Sequence, residues 1–184
     1  MFREEWLNKA LDEHLRPRFA DQGHALPDKV RVSVGWPGGR GPKRNVIGQC
    51  WPASTVEDGV VALFVSPVLF DPVEVLTTLT HEAVHSIGME GHRKEFSEVA
   101  KKVGLLKPWT HTPASDELKD FLHTVAEQLG PYDHGKIKAG SIIRQATRLL
   151  KVACPDDGYT ARITRKWIDV GLPICPCGTE MEEA

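Results

Sequence analysis

Asp71-Pro72-Val73-Glu74-Val75-Leu76-Thr77-Thr78-Leu79-Thr80-His81-Glu82-Ala83-Val84-His85-Ser86-Ile87-Gly88 is the stretch on which the reading of this chain turns. Asp71 has the side chain of an N-cap, Pro72 suits the first helical position, and Glu74 completes a capping box three residues on. Val75, Leu76, Leu79, Ala83, Val84 and Ile87 then recur at helical spacing, and Gly88 stops the run, which predicts a helix over 71–87 with one apolar stripe. Ahead of it, Val60 to Val65 is continuously apolar and predicts a buried strand over 60–66. Val30, Val32 and Val34 alternate with Arg31 and Ser33, the period of a half-buried strand over 30–35, and 46–51 reads as a third. Gly35 to Lys43, dense in glycine and proline, reads as a loop. Phe2, Trp6, Leu7, Ala10, Leu11 and Leu15 predict a first helix over 2–16, ended or kinked by Pro17. A helix over 92–103 closes at Gly104, and Ser115 opens another that reaches about Leu129. The expected fold class is α+β, a small mixed or antiparallel sheet packed on helices.

Composition bounds the rest. At 184 residues the chain holds one domain of ordinary size and a small appendix. Residues 1–130 read as the main domain, 131–150 as a linker and 151–184 as a compact tail with turns at Pro155 to Gly158 and Pro173 to Gly178. The hydrophobic share of 41% and charged share of 26% are ordinary for a globular protein, and the net charge of -2 selects no partner. No apolar run approaches the roughly 20 residues of a membrane helix, and Met1 to Glu5 carries acids where a signal peptide is basic and then apolar. A cytoplasmic protein with no membrane partner is the expectation. Of the four cysteines, Cys154, Cys175 and Cys177 crowd the tail, too few and too lopsided for a secreted disulfide scaffold, so the tail reads as a metal-binding module or the remnant of one. Cys50 reads as a buried or half-buried thiol.

His81-Glu82-Ala83-Val84-His85 places two imidazoles at i and i+4 on one helical face, where both can reach a single ion about 2.0–2.1 Å from each nitrogen. Glu82 is turned away by about 100° and so serves better as general base to a water on that ion than as a ligand. A catalytic zinc wants three protein ligands and an open position. His92 is the candidate third ligand, brought round by a reversal at Gly88 to Gly91, with Glu90 and Glu95 as rivals.

The run from Pro72 through Thr77, Leu79 and His81 to His85, followed by Gly91-His92 and Phe96, resembles the SprT-like zinc metallopeptidases. Their pattern is HExxH, a short variable loop, a GH dipeptide and an aromatic residue beyond. The tail is similar to the zinc ribbon that often ends members of that family, through Cys154-Pro155, Gly158-Tyr159, Arg162, Arg165-Lys166-Trp167, Gly171, Pro173 and Cys175-Pro176-Cys177-Gly178. The resemblance implies His81, His85 and His92 as zinc ligands, Glu82 as the base, a zinc-ribbon-like β tail and protein substrates, some of them near DNA. The tail departs from a four-cysteine ribbon, with Cys154-Pro155-Asp156-Asp157 in place of a second cysteine and a short C-x-C pair. A second, structural zinc there would use Cys154, Cys175 and Cys177 with Asp157 or an outside group; otherwise Tyr159, Ile163, Trp167 and Ile174 would hold the module by packing.

Three further expectations follow. The strand at 60–66 is a candidate edge for an extended substrate to join. Tyr132 and His134 are candidate donors to a developing oxyanion. Arg144, Arg148, Lys151, Arg162, Arg165 and Lys166 make the carboxyl-terminal part locally basic, a candidate DNA contact whose affinity would fall with salt. A peptidase acting on proteins is the leading expectation. The alternative is a DNA-associated metal-binding or regulatory protein that cuts nothing.

Overall fold

A computed structural model of the chain describes residues 1–36, 46–132, 135, 137–138 and 149–184. It divides into two compact units, 1–140 and 141–184, the division falling inside the stretch read as a linker. The fold is α+β.

In the first unit, helix α1 (Arg3–Ala10) runs through a wide π turn at Leu11–Leu15 into α2 (Arg16–Asp21). Of the two outcomes expected at Pro17, an end or a kink, the end does not occur, and the helix continues to Asp21. The Arg16 N–H bonds back five residues to the Leu11 carbonyl, and this extra residue in the turn clears the proline ring and absorbs its missing donor. Trp6, Leu7, Ala10, Leu11, Leu15 and Phe19 are all buried along the continuous face.

The sheet has the order β1 (Val30–Val34), β3 (Val61–Val65), β2 (Gly48–Trp51), with β1 parallel and β2 antiparallel to the central strand. β3 is therefore the middle strand, and the expectation that it offers an edge is corrected. Its continuous apolar sequence reflects pairing on both sides and burial beneath helices. The outer edge of β1 is closed by α1: Asn8 Nδ2 donates to the Val32 carbonyl at 2.8 Å, the Val32 N–H donates to Asn8 Oδ1 at 2.9 Å, and the Val34 N–H donates to Glu4 Oε1 at 3.3 Å. One asparagine amide thus mimics a neighbouring strand. Among the described residues β2 pairs on one side only, so it is the edge left for another chain.

Helix α3 (Pro72–Ser86) packs on β2 and β3. Asp71 caps it, accepting the Glu74 N–H at 2.9 Å, and Gly88 leaves the helical path at φ +86°. Helices α4 (Lys94–Lys102) and α5 (Asp116–Leu129) complete the unit, α5 capped by Ser115 Oγ, which accepts the Leu118 N–H at 3.2 Å. The core gathers the first helix, Val32, β3, the α3 stripe, Phe96 and the buried face of α5. No helix among the described residues is long and apolar enough to cross a membrane.

The second unit is a three-stranded sheet, β4 (Leu149–Ala153) between β5 (Thr160–Thr164) and β6 (Glu182–Glu183), with the short helix α6 (Arg165–Ile168). Its buried core is Val152, Cys154, Cys175 and Met181, with Ile163 and Ile168 packed against it. Of the residues expected to hold the tail by packing, only Ile163 does; Tyr159, Trp167 and Ile174 are more than half exposed. A core this small leaves little apolar burial to offset chain entropy.

Candidate metal centre and its cleft

α3 carries His81 and His85 one turn apart on the same face, and the reversal through Gly88 and Gly91, at φ +86° and +70°, returns His92 to them. The three Nε2 atoms form a near-equilateral triangle: 3.1 Å between His81 and His92, 3.2 Å between His85 and His81, and 3.3 Å between His85 and His92. Nitrogens placed tetrahedrally about 2.0–2.1 Å from one ion stand about 3.3 Å apart, so the triangle has the dimensions of a three-histidine metal site. Neither rival ligand joins it. Glu90 lines the cleft outside the cluster, and Glu95 lies exposed in the first turn of α4.

The proton positions agree with a cation. His85 Nδ1 lies 2.7 Å from the Met89 carbonyl, which can only accept, so Nδ1 carries the hydrogen and Nε2 presents a bare lone pair to the centre. His81 Nδ1 lies 2.8 Å from Thr112 Oγ1 and donates to it when Nε2 is the ligating atom. Burial pushes His81 down to about 3, helped by His85, His92 and His111, and burial lowers His85 and His92 as well. Neutral imidazoles aiming lone pairs at one point repel unless a positive ion lies between them. The buried ring of Phe96 forms the floor, with centroids 4.6 Å from His85, 4.9 Å from His92 and 5.0 Å from His81.

Glu82 lies on the neighbouring face of α3, 6% exposed, and burial pushes its carboxyl up to about 8. It lines the same cleft, of about 750 Å³, as the triad. One wall is Val46 to Pro52, which includes all of β2; the other is Gly88 to His92 with Thr110 to Thr112. Cys50 lies half-buried in the β2 wall, its thiol pushed up to about 12 by burial and by Glu82.

Thr112 was not singled out by the sequence, and its neighbour His111, which reads there as a surface residue rather than a ligand, is exposed and outside the triad. Both sit on the excursion between α4 and α5, which is pinned by the bridge of Leu105 to Ala114 and by the Leu106 N–H donating to the Pro113 carbonyl at 2.8 Å. A lone threonine 31 positions from its partner leaves no periodic trace, so only the folded chain identifies it. Tyr132, read as an oxyanion donor, packs instead against Trp6 with centroids 4.9 Å apart and does not line the cleft. His134 lies outside the described residues.

In the second unit, Cys154, Asp157, Cys175 and Cys177 converge, their ligand atoms all within 4.8 Å of one another. Two turns, closed by Gly158 and Gly178 at φ +73° and +97°, present them. Cys154 Sγ lies 3.5 Å from Cys177 Sγ, and Cys175 Sγ lies 3.3 Å from an Asp157 oxygen. Asp157 takes the place of the missing cysteine, held below its ordinary range first by the Tyr159 N–H and then by the thiols.

The basic residues are dispersed in role. Lys151 and Arg162 stand directly opposite each other in the β4–β5 register. Arg165 is held by a two-pronged pair with Glu183 at 2.6 and 2.9 Å, and Lys166 lies over the Trp167 ring at 5.1 Å. Arg144 and Arg148 lie outside the described residues. Comparison of the chain with protein-family models, with curated proteins and with solved structures gives no match.

Proposed function

We propose that the first unit is a zinc-dependent peptidase acting on extended segments of protein. The observation that carries the reading is the triangle of three Nε2 atoms at 3.1–3.3 Å with a buried carboxyl on the adjacent helical face of the same cleft. A zinc held there would supply a Lewis acid that acidifies a water and polarises a peptide carbonyl. The roles of the chain's own residues follow from their places. Met89 and Thr112 fix the rings of His85 and His81 from behind. Glu82 takes the proton of the attacking water and returns it to the leaving amine. A purely structural site has no use for a carboxyl beside the open position.

The substrate class comes from the cleft wall. β2 is the sheet edge without a partner among the described residues and runs along the cleft, so an extended peptide can add to it by backbone hydrogen bonds alone. This moves the substrate edge from the strand expected in the sequence to its neighbour. The similarity of the motif to SprT-like peptidases supports the same reading.

The Cys154, Asp157, Cys175 and Cys177 cluster supports a second, structural zinc, which would be held by three thiolates and one carboxylate, four ligands with no open position, and would tie the small tail together. A second reading, a DNA-associated protein that does not cut, draws on the opposed Lys151 and Arg162. Like charges facing each other across a sheet cost stability unless an anion lies over them. The Arg165–Glu183 pair weakens it by neutralising one of the cations.

The deciding experiment is hydrolysis of an unfolded protein by the purified chain, with metal content measured on the same sample. Metal-dependent cleavage that a chelator abolishes and zinc restores is the expected result. A chain that holds one metal at the triad yet cleaves nothing would favour the second reading.

A further inference from the structure

The base of a hydrolytic site must be held to within a fraction of an ångström, and α3 alone does not do this for Glu82, whose side chain has three rotatable bonds. What bounds its carboxyl is the strand across from it. In the β2–β3 register Gly48 lies opposite Val65 and Cys50 opposite Leu63, which puts 48 and 50 on one face of β2, the face that α3 packs against. A Cβ built on Gly48 would overlap Glu82 Oε1 and stand 2.8 Å from both Cγ and Cδ. Cys50, two residues on, feels the charge of the same carboxyl. The Glu82 side chain therefore occupies the space that any other residue at 48 would fill.

We infer that Gly48 is the positioning residue for Glu82: its missing side chain is the socket in which the carboxyl is seated. The inference rests on the peptidase reading for its consequence and on packing for its geometry. It also explains a glycine where local structure asks for none. The backbone at 48 is ordinary strand and has no positive φ, unlike the glycines that end helices or close turns, and a glycine in a strand weakens it. The residue is needed because a side chain approaches.

The obstacle a larger residue would meet is the Glu82 side chain from Cγ outward and not backbone. The fold can therefore absorb the change by letting Glu82 move. Because Glu82 is otherwise buried, the cleft is the open side into which its carboxyl would be displaced. A shift of about 1 Å in a reacting group costs about a hundredfold in rate. The loss should fall on kcat, since neither the triad nor the outer edge of β2 is touched, while KM and metal content stay at the wild-type level.

The test is a pair of measurements on the full chain loaded with zinc. Gly48→Ala should retain one metal at the triad and lose about a hundredfold in kcat at unchanged KM; Gly35→Ala, at a glycine just past β1 where an added Cβ meets nothing within 4 Å and which does not line the cleft, should keep kcat within a few fold. Separately, thermal unfolding of Gly48→Ala is compared in the wild-type and the Glu82→Ala backgrounds. Emptying the socket of Glu82 should abolish whatever loss of stability Gly48→Ala causes. A wild-type kcat in Gly48→Ala overturns the inference and leaves the peptidase reading standing. If the wild type itself cleaves nothing, the unfolding pair still decides: equal losses in both backgrounds mean that Gly48 and Glu82 do not contend for one space, and the inference is wrong.

Discussion

Replacing Glu82 with glutamine should move rate and stability in opposite directions. The carboxyl is 6% exposed, and burial raises it from its ordinary 4.5 to about 8. An acid whose folded pKa lies above its unfolded one binds its proton more tightly in the folded state, so its contribution to stability is fully present below about pH 4.5. It is lost as pH rises through 8. At pH 7 the metal-free wild type gives up about 3 kcal/mol in this way, because each unit of pKa difference is about 1.4 kcal/mol. Glutamine has nearly the same shape and no proton to lose. Metal-free Glu82→Gln should therefore be more stable than metal-free wild type by about 3 kcal/mol at pH 7, with the difference vanishing near pH 4.5. With zinc bound, the same variant should keep its metal and lose at least about a hundredfold in hydrolysis, the usual worth of a general base. Urea unfolding in chelator at pH 4.5, 6 and 7, followed by tryptophan fluorescence, measures the first effect. A Trp167→Phe background confines the signal to Trp6, Trp36, Trp51 and Trp109 of the first unit. If the variant proves less stable than wild type at pH 7, the carboxyl is a partnered structural group and the argument for a base is wrong. Equal turnover would refute it from the other side.

Thr112→Val removes the hydroxyl behind His81 while keeping the volume, and should weaken zinc binding roughly 10–100-fold with the fold intact; chelator competition measures it, and unchanged affinity would mean the His81 ring needs no support. Cys175→Ser should take the metal content of the full chain from two per molecule to one and loosen the second unit alone, read by elemental analysis and by proteolysis of 141–184; an unchanged content of one in both proteins would show that the tail holds no metal. Lys151→Gln with Arg162→Gln should relieve the opposed charges and so stabilise the tail slightly, by about 0.5 kcal/mol. If the DNA reading holds, the same pair should abolish a salt-sensitive affinity for labelled DNA at low salt, and equal binding by both proteins would leave these residues as a solvated face.

Local rules carried the sequence reading as far as elements and ligands. The capped helix at α3, the i,i+4 histidines and the glycine reversal to His92 depend on contacts within a dozen residues, so spacing brought His81, Glu82 and His85 together before any fold was known; it left His92 beside Glu90 and Glu95, and the fold gathers His92 alone of the three. The three strands and the α+β class were legible for the same reason, because burial of one or both faces of a strand is written into its apolar period. Pairing was not. β3 is central because β1 and β2 both pair with it, and the outer edge of β1 is covered by the Asn8 amide, a residue whose sequence neighbourhood says nothing of a sheet. That the helix runs on past Pro17 was not legible, because the wide turn before it belongs to a stretch whose Leu15 and Phe19 are buried in the core, which no local preference announces. Thr112 behind His81, Gly48 against Glu82 and Asp157 beside Cys175 are likewise pairs of surfaces far apart in the chain, each set by packing. Legible without a fold were the side chains proposed to hold a metal and to move a proton, since their chemistry and close spacing are local. Which groups lie behind those side chains, and which strand edge faces the cleft, came from the fold, because close packing joins residues without regard to their separation along the chain.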